Sequence, residues 1–356
     1  MKIAFITGSR GEWGYIRPII RLIDNDPDLD YQIIVTGMHL LDRFGLSVNE
    51  ITSDGFTVHE KIYMLYDGYN TETMSKSLGA LLSELPGALN RLKPDILVLA
   101  GDRGDQLIGA IVAVHLGIPT AHIQGGELSG NVDGVVRHAI SKLCDIHFTA
   151  NETTAARLRA IGESNIHVTG APQLDELVNG DYTRYYELVQ KYDINKGYVL
   201  ALLHPVTDQE IDAKLQIKTL IDVYYGYTGK IIFIYPNSDA GSEMIRSLLE
   251  ESHRGNIILS KNIPRSDYLG LMKYCGYMIG NSSSAILEAP TFATPAVNIG
   301  RRQHGRDQGD NVVNCGWSTS EIIFAINEAQ ELKPSGVNPY GDGKSSPRIV
   351  EILKGM

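Results

Sequence analysis

Residues 277–288 read YMIGNSSSAILE, a short apolar run broken by Gly280-Asn281 and followed by three serines and a helical pattern. Ser282, Ser283 and Ser284 stand where free backbone N–H groups and the positive end of a helix dipole would meet an anion. Six residues after Ser282, Glu288 would present a carboxylate suited to ribose hydroxyls while the serines hold phosphates. A serine cap followed by a solvated glutamate would leave the same trace. The segment therefore gains meaning only from its partners elsewhere in the chain.

Those partners recur wherever an apolar run ends. After residues 2–7 comes GSRGEWG, in which Gly8 and Gly11 permit a tight turn and Arg10 would reach a phosphate. It matches neither the GxGxxG dinucleotide fingerprint nor the GxxxxGK[ST] phosphate loop. Residues 96–100 run into Gly101-Asp102-Arg103, which sets a carboxylate beside a guanidinium, although Asp102 would serve equally as a helix cap. Residues 120–124 lead into a loop bracketed by Glu127 and Asp133, with Arg137 and His138 one turn into the next helix. Asp133 and Arg137 have the spacing of an i,i+4 pair. Three carboxylates, Asp102, Glu127 and Asp133, exceed what helix capping needs, and crowding of this kind raises pKa values as a shared acid/base site requires. Further on, Pro205 restricts His204 to an extended backbone at the tip of a strand. Polar clusters also follow residues 230–235 (Pro236, Asn237, Ser238, Asp239) and residues 296–298 (Gly300, Arg301, Arg302, Gln303).

The elements that must position these residues alternate. Short Val/Ile/Leu-rich runs at 2–7, 32–36, 96–100, 120–124, 146–150 and 166–168 read as strands. Amphipathic stretches at 15–25, 71–92, 104–115, 135–143 and 152–161 read as helices between them. A second series has strands at 198–204, 230–235, 257–259, 277–279 and 296–298, with helices at 208–225, 242–252, 265–274 and 285–291. This βαβ rhythm predicts an α/β chain of two doubly wound, Rossmann-like domains facing across a cleft, with ligands at the carboxyl ends of both sheets. The expected boundaries are 1–171 for the domain carrying the acids and 172–340 for the nucleotide domain, with a hinge around 171–195. Residues 347–356 are expected to form a helix packing back on the N-terminal domain.

Composition narrows the class. A chain of 356 residues is comfortable for two domains, and 43% hydrophobic content with 36 glycines fits an α/β protein rich in strand-to-helix turns. A net charge of −10 argues against nucleic acid as a partner. An anionic small molecule can still be steered by a few arginines. Cys144, Cys275 and Cys315 are too few and scattered for a disulfide framework or a metal site. With no signal-peptide pattern and no apolar run near the roughly 18–20 residues of a membrane span, a cytoplasmic protein with no membrane partner is expected.

Together, GSRGEWG, GDRGD, HIQGGELSGNVDGVVRHAISK, LHPVT, YPNSDAGS, GNSSSAILEAPTFATPAVNIG and RRQHGRDQGDNV resemble the UDP-N-acetylglucosamine 2-epimerase family, in its hydrolysing branch that supplies N-acylmannosamine-type sugars for sialic and legionaminic acids. The similarity runs in order from residue 1 to about residue 316. The resemblance implies a glycosyltransferase B architecture, no metal or redox cofactor, and a nucleotide-sugar substrate, UDP-linked before GDP-linked. A homodimer or homotetramer is the expected assembly. By position, the resemblance implies that Ser282 and Ser283 hold the diphosphate, Glu288 the ribose, Arg302 the nucleotide and the backbone of Ile263 the base. It places Arg10, Arg103, His204 and Asn237 around the nucleotide sugar and implicates Asp102 and Asp133 in catalysis. Glu127 and His204 are further catalytic candidates, and Gln124, Arg137 and Asp239 further binding candidates.

The sequence departs from the family pattern at two positions. Gln124 stands where the sialic-acid members carry a glutamate in HIEGGE, and an amide cannot act as a general base. Gly104 replaces an aromatic after Gly-Asp-Arg. The implied chemistry is elimination of the nucleotide diphosphate to a 2-acetamidoglucal, followed by addition of water at C1 and a proton at C2. A carboxylate would serve as base in the first step and a protonated carboxyl as acid in the second. A non-hydrolysing epimerase, whose first motif is typically GTRPE, is the alternative within the family. A glycosyltransferase of the same fold and a nucleotide-sugar sensor are the alternatives outside it.

Overall fold

In the computed structural model, described for residues 1–356 apart from 69, 130, 131, 207–212, 226, 237, 238, 240, 253 and 254, thirteen strands form two sheets. The first contains β1 (Lys2–Thr7), β2 (Asp30–Val35), β3 (Val58–Lys61), β4 (Ile96–Ala100), β5 (Thr120–Ile123), β6 (Ile146–Thr149) and β7 (Ile166–Val168), in the order β3-β2-β1-β4-β5-β6-β7. The second contains β8 (Val199–Leu202), β9 (Ile231–Ile234), β10 (Ile257–Ser260), β11 (Tyr277–Gly280), β12 (Ala296–Ile299) and β13 (Val312–Cys315), in the order β10-β9-β8-β11-β12-β13. Every pairing is parallel, so within each sheet all carboxyl ends emerge along one edge. The strand order reverses beside β1 in one sheet and beside β8 in the other, and such reversals are where open α/β sheets bind ligands.

Both sheets are buried on both faces, which explains their near-continuous apolar runs. β1 sends Ile3 and Phe5 to a core shared with Ile16, Ile19, Ile20 and Ile23 of the helix Arg10–Asp24. The alternate residues, Ala4 and Ile6, join Leu81, Leu85 and Leu89 of the helix Thr71–Leu92 on the opposite face. β8 repeats the pattern: Val199 and Ala201 pack with Ile217 and Leu220, while Leu200 and Leu202 pack with Leu271 and Met272. Among the described residues, no helix is long and apolar enough to cross a membrane.

Two strands escape the sequence reading, β3 and β13, and both lie at a sheet edge. Their sequences, VHEK and VVNC, are only partly buried, so the apolar signal that marks a central strand is diluted. Helices Val48–Ser53 and Thr319–Glu331 were likewise not anticipated. The stretch expected as a hinge at 171–195 contains two helices, Gln173–Asn179 and Tyr185–Tyr192. Pro172 sits immediately before the first of these, where a missing N–H costs nothing. The helix expected from 208 is described from Ala213 to Val223, and its expected start lies outside the described residues.

The chain divides into two units, Met1–Leu128 with Val132–Glu176 and Tyr340–Met356, and Ser129–Asn131 with Leu177–Pro339. The return to the first unit is secured at the start of the last helix, Ser345–Lys354. The Asp175 carboxylate accepts from the backbone N–H of Ser345 at 2.9 Å and of Ser346 at 2.6 Å, and Ser345 Oγ donates to the Gly170 carbonyl at 2.7 Å. Ile349, Val350 and Leu353 then complete the core around the helix Arg10–Asp24. Removing the cap acceptor with Asp175→Ala should lower stability by about 1–2 kcal/mol. A denaturant melt that leaves the midpoint unchanged would show the cap to be energetically idle.

Candidate active site

In the first unit the carboxyl ends of β4 and β5 lie side by side, Ala100 paired with Ile123. Between them sits Arg137, 2% exposed, on the helix Val132–Leu143. Its Nη2 donates to the Asp102 carboxylate and its Nη1 donates to the Gln124 carbonyl at 2.7 Å. Burial opposes the charge on Arg137, but Asp102 and then Glu127 outweigh it and hold the pKa above its ordinary value. The sequence spacing pointed to an Asp133–Arg137 pair; the guanidinium is instead engaged by Asp102 and Gln124 of neighbouring strand ends. Asp102 is not the cap of the following helix either, because Arg103 occupies that position without a side-chain cap bond.

The surrounding residues fix this arrangement. His122, wholly buried on β5, lies 2.7 Å from the Gly101 carbonyl through Nε2 and 3.0 Å from Ser141 Oγ through Nδ1. Burial pushes its pKa down to about 3, so it is neutral and bridges β5 to the Gly101-Asp102 turn. Gln124 adopts φ 61°, a left-handed conformation costing a non-glycine residue of order 1 kcal/mol or more. Its Nε2 donates to Gln173 Oε1 at 3.1 Å, and both amides are 1% exposed. Glu127 is buried, and Asp133, at the start of the helix Val132–Leu143, is half-buried. Arg10 follows β1, and Arg103 follows β4, both half-buried.

In the second unit, Asn281 organises the ends of β8, β11 and β12. Its side chain accepts from the His204 N–H at 2.8 Å and donates to the His204 carbonyl at 2.9 Å. Its own carbonyl accepts from Gln303 Nε2 at 2.8 Å and Arg302 Nη1 at 3.2 Å. The preceding Gly280 has φ 135°, and a Cβ there would lie 1.8 Å from the Leu202 carbonyl oxygen. Only glycine permits this crossing of β11 against β8.

Ser282 and Ser283 follow, with Ser282 Oγ 2.9 Å from Ser284 Oγ, which in turn is hydrogen-bonded to the Tyr268 hydroxyl. The helix expected beyond them is a single turn, Ser284–Leu287, succeeded by a 3-10 turn Ala289–Phe292 containing Pro290. A full macrodipole is therefore lacking, and the donors this turn can offer an anion are local N–H and hydroxyl groups. Glu288 is 6% exposed, and its carboxylate accepts from Arg265 Nη2. Ile263 is buried and Asp239 half-buried, whereas Asn237 lies outside the described residues.

Asn281, Arg265, Tyr268 and Gln173 were not singled out from sequence. One signal was available for Arg265. It opens the helix Arg265–Tyr274, where the macrodipole disfavours a cation, so a carboxylate partner was to be expected.

The profile of the UDP-N-acetylglucosamine 2-epimerase family matches residues 21–354. The chain belongs to the UDP-N-acetylglucosamine 2-epimerase family. Within this family it is 37% identical to the UDP-N,N'-diacetylbacillosamine 2-epimerase (hydrolyzing) of Legionella pneumophila, over 99% of this chain and 95% of that one. It is 34% identical to the GDP/UDP-N,N'-diacetylbacillosamine 2-epimerase (hydrolyzing) of Campylobacter jejuni, over 93% of this chain and 88% of that one. The crystal structure of UDP-GlcNAc 2-epimerase from Neisseria meningitidis bound to UDP-GlcNAc superposes with a TM-score of 0.84 at 19% identity, covering 100% of both chains. This last likeness establishes the fold: two Rossmann-like domains of the glycosyltransferase B type.

As an epimerase-family chain it spends its most buried guanidinium on the acids of the first unit. Arg137→Met should therefore cost about 3–5 kcal/mol, because Asp102 and Glu127 lose their compensating charge. Adding Asp102→Asn should recover part of that loss. Equal stability of Arg137→Met and wild type in urea melts would show that the ion pair does not hold the strand ends.

Proposed function

We propose that the chain is a hydrolysing nucleotide-sugar 2-epimerase that converts a UDP-linked 2-acetamido sugar to the free manno-configured sugar and UDP. We further propose a 2,4-diacetamido sugar as the preferred substrate, ahead of UDP-N-acetylglucosamine. The observation that carries the reading is the group of acids around Arg137 at the ends of β4 and β5, in a chain whose full length aligns with hydrolysing relatives. The substrate preference draws support from the relatives' names and from Gln124, whose amide cannot exchange a proton as a carboxylate does.

In the proposed reaction a carboxylate removes the C2 proton while the C1–O bond to the diphosphate breaks, leaving a glycal. Water then adds its oxygen at C1, and a carboxyl returns a proton to the opposite face of C2. Asp102 and Asp133 are the proposed proton-transfer groups, with Glu127 supporting the second step in place of Gln124. His204 is held at the tip of β8 by the Asn281 amide and is proposed to face the sugar diphosphate. Ser282, Ser283, Arg302 and Arg10 are proposed to stabilise the departing diphosphate, with Arg103 beside the sugar and Glu288, oriented by Arg265, on the ribose. Ile263, Asp239 and Asn237 complete the proposed nucleotide contacts. A homodimer, cytoplasmic location and a role in sialic- or legionaminic-type sugar synthesis accompany this reading.

The test is proton NMR of the products in deuterated water, with UDP-N-acetylglucosamine and a UDP-linked 2,4-diacetamido sugar as substrates. Free sugar with one deuteron at C2, formed faster from the diacetamido substrate, is expected. A nucleotide-linked epimer as sole product would make the enzyme non-hydrolysing, and protium retained at C2 would exclude the elimination. Asp102→Asn and Asp133→Asn should each lower turnover about 100-fold or more while UDP affinity barely moves. In calorimetry Arg302→Ala should weaken UDP binding by roughly tenfold or more, the scale of one charge-assisted contact. Normal turnover in both Asn variants would remove the acids from the chemistry.

A further inference from the structure

Glu12 and Asp105 are two acids that the proposed reaction leaves unused, and both are buried, at 2% and 6% exposure. Glu12 lies in the first turn of the helix Arg10–Asp24 and Asp105 in the first turn of the helix Gly104–Leu116. Glu12 Oε2 accepts from the N–H of Gly8 at 2.6 Å and of Ser9 at 2.8 Å, and Ser9 caps the helix reciprocally. A capping box accounts for that oxygen only. Oε1 is buried without an N–H or hydroxyl donor, and Glu12 and Asp105 meet at Gly8, whose N–H donates to the one and whose Cα packs against the other. The Asp105 carboxylate in turn lies against Gly8, where a Cβ would come within 2.0 Å of Oδ2.

We propose that Glu12 and Asp105 form a carboxylic acid–carboxylate pair with one shared proton, positioning the turn of residues 8–10 and through it Arg10. The role of Arg10 toward a diphosphate rests on the function proposed above; the shared proton does not. Two ionised carboxylates buried side by side at one glycine would repel, and a proton on Glu12 turns the contact into a strong O–H to carboxylate bond. Burial first, and then the Asp105 charge, raise the Glu12 pKa well above its ordinary value. Burial raises that of Asp105 as well, against Arg103 and the N–H of Gln106. The charged group acting on both acids is Arg103. His39, from the segment after β2, is hydrogen-bonded to Thr7 and Ser47, and burial holds it neutral with its pKa pushed down to about 3. The pair thus ties the first βα turn to the Asp102-Arg103 turn, so that Arg10 and Arg103 are set by one contact.

The experiment compares Glu12→Ala, Glu12→Gln and Asp105→Asn in the full-length chain, with the UDP-linked sugar as probe. Glu12→Ala should raise KM about tenfold or more with a smaller change in kcat, because the turn loses its acceptor and its lock. Glu12→Gln should restore most of that loss, since its amide oxygen accepts from Gly8 and Ser9 and its NH2 donates to Asp105. A Gln variant as impaired as Ala, or an Ala variant with wild-type KM, would overturn the proposal.

Stability against pH provides an arm independent of activity. A carboxyl whose pKa is raised by folding stabilises the protein below its unfolded value, and that contribution is lost as pH rises toward the folded value. Wild type should therefore lose stability relative to Glu12→Gln as pH rises above the ordinary glutamate range, and Asp105→Asn should reduce that dependence. Parallel stability curves for wild type and Glu12→Gln would exclude the shared proton. An absence of turnover in wild type would refute the functional reading and leave this arm intact.

Discussion

A charge taken fully out of water must be answered inside the protein, and Arg137 sets that demand for the first unit. Its guanidinium is buried and bonds to the Asp102 carboxylate and the Gln124 carbonyl. Satisfying it requires the ends of β4 and β5 to stand beside the helix Val132–Leu143 in one register. The compensation is mutual: the same guanidinium lets Asp102 and Glu127 occupy a site with little water. Two of the three acids read from sequence as a cluster, Asp102 and Glu127, are thus held by a cation. Gln124 accepts a left-handed backbone to deliver its carbonyl to that cation, and strain of this type persists only where the surroundings over-determine it.

The second unit solves a neutral version of the same problem. Strand ends leave backbone donors and acceptors exposed, and Asn281 satisfies both those of His204 with a single amide. Because its own carbonyl also receives Arg302 and Gln303, three segments far apart in sequence meet on one residue. Gly280 makes this possible by letting β11 pass the Leu202 carbonyl without a Cβ. The serines that follow belong to a network running through Ser284 to Tyr268, and Glu288 to Arg265. Both partners come from one helix, Arg265–Tyr274, which aligns the halves of the YMIGNSSSAILE segment.

Glu12 and Asp105 link these themes. Buried together and under the charge of Arg103, the two acids are proposed to share a proton, and that contact joins the turns after β1 and β4. Arg10, read from sequence as reaching a phosphate, and Arg103, read as lining the nucleotide-sugar site, are members of those turns.

Much of this molecule was legible in one dimension. Central parallel strands are buried on both faces, so runs such as Ile96–Ala100 carry an unmistakable apolar signature, and the helix Thr71–Leu92 follows its period throughout. The strand-end motifs GDRGD, HIQGGE and GNSSSAILE were equally visible, because polar residues after an apolar run mark the edge where ligands bind. Edge strands β3 and β13 were not, since half-exposed sequences lose that contrast. Side-chain partnerships were also beyond reach. Local spacing favours Asp133 for Arg137, and a helix over 285–291 behind Ser282. Tertiary structure gave Arg137 to Asp102 and Gln124, and shortened the helix to one turn before Pro290. Local periodicity determines which residues reach a strand end. Which charges then meet depends on desolvation and on contacts between segments tens of residues apart, and these exist only once the sheet has closed around them.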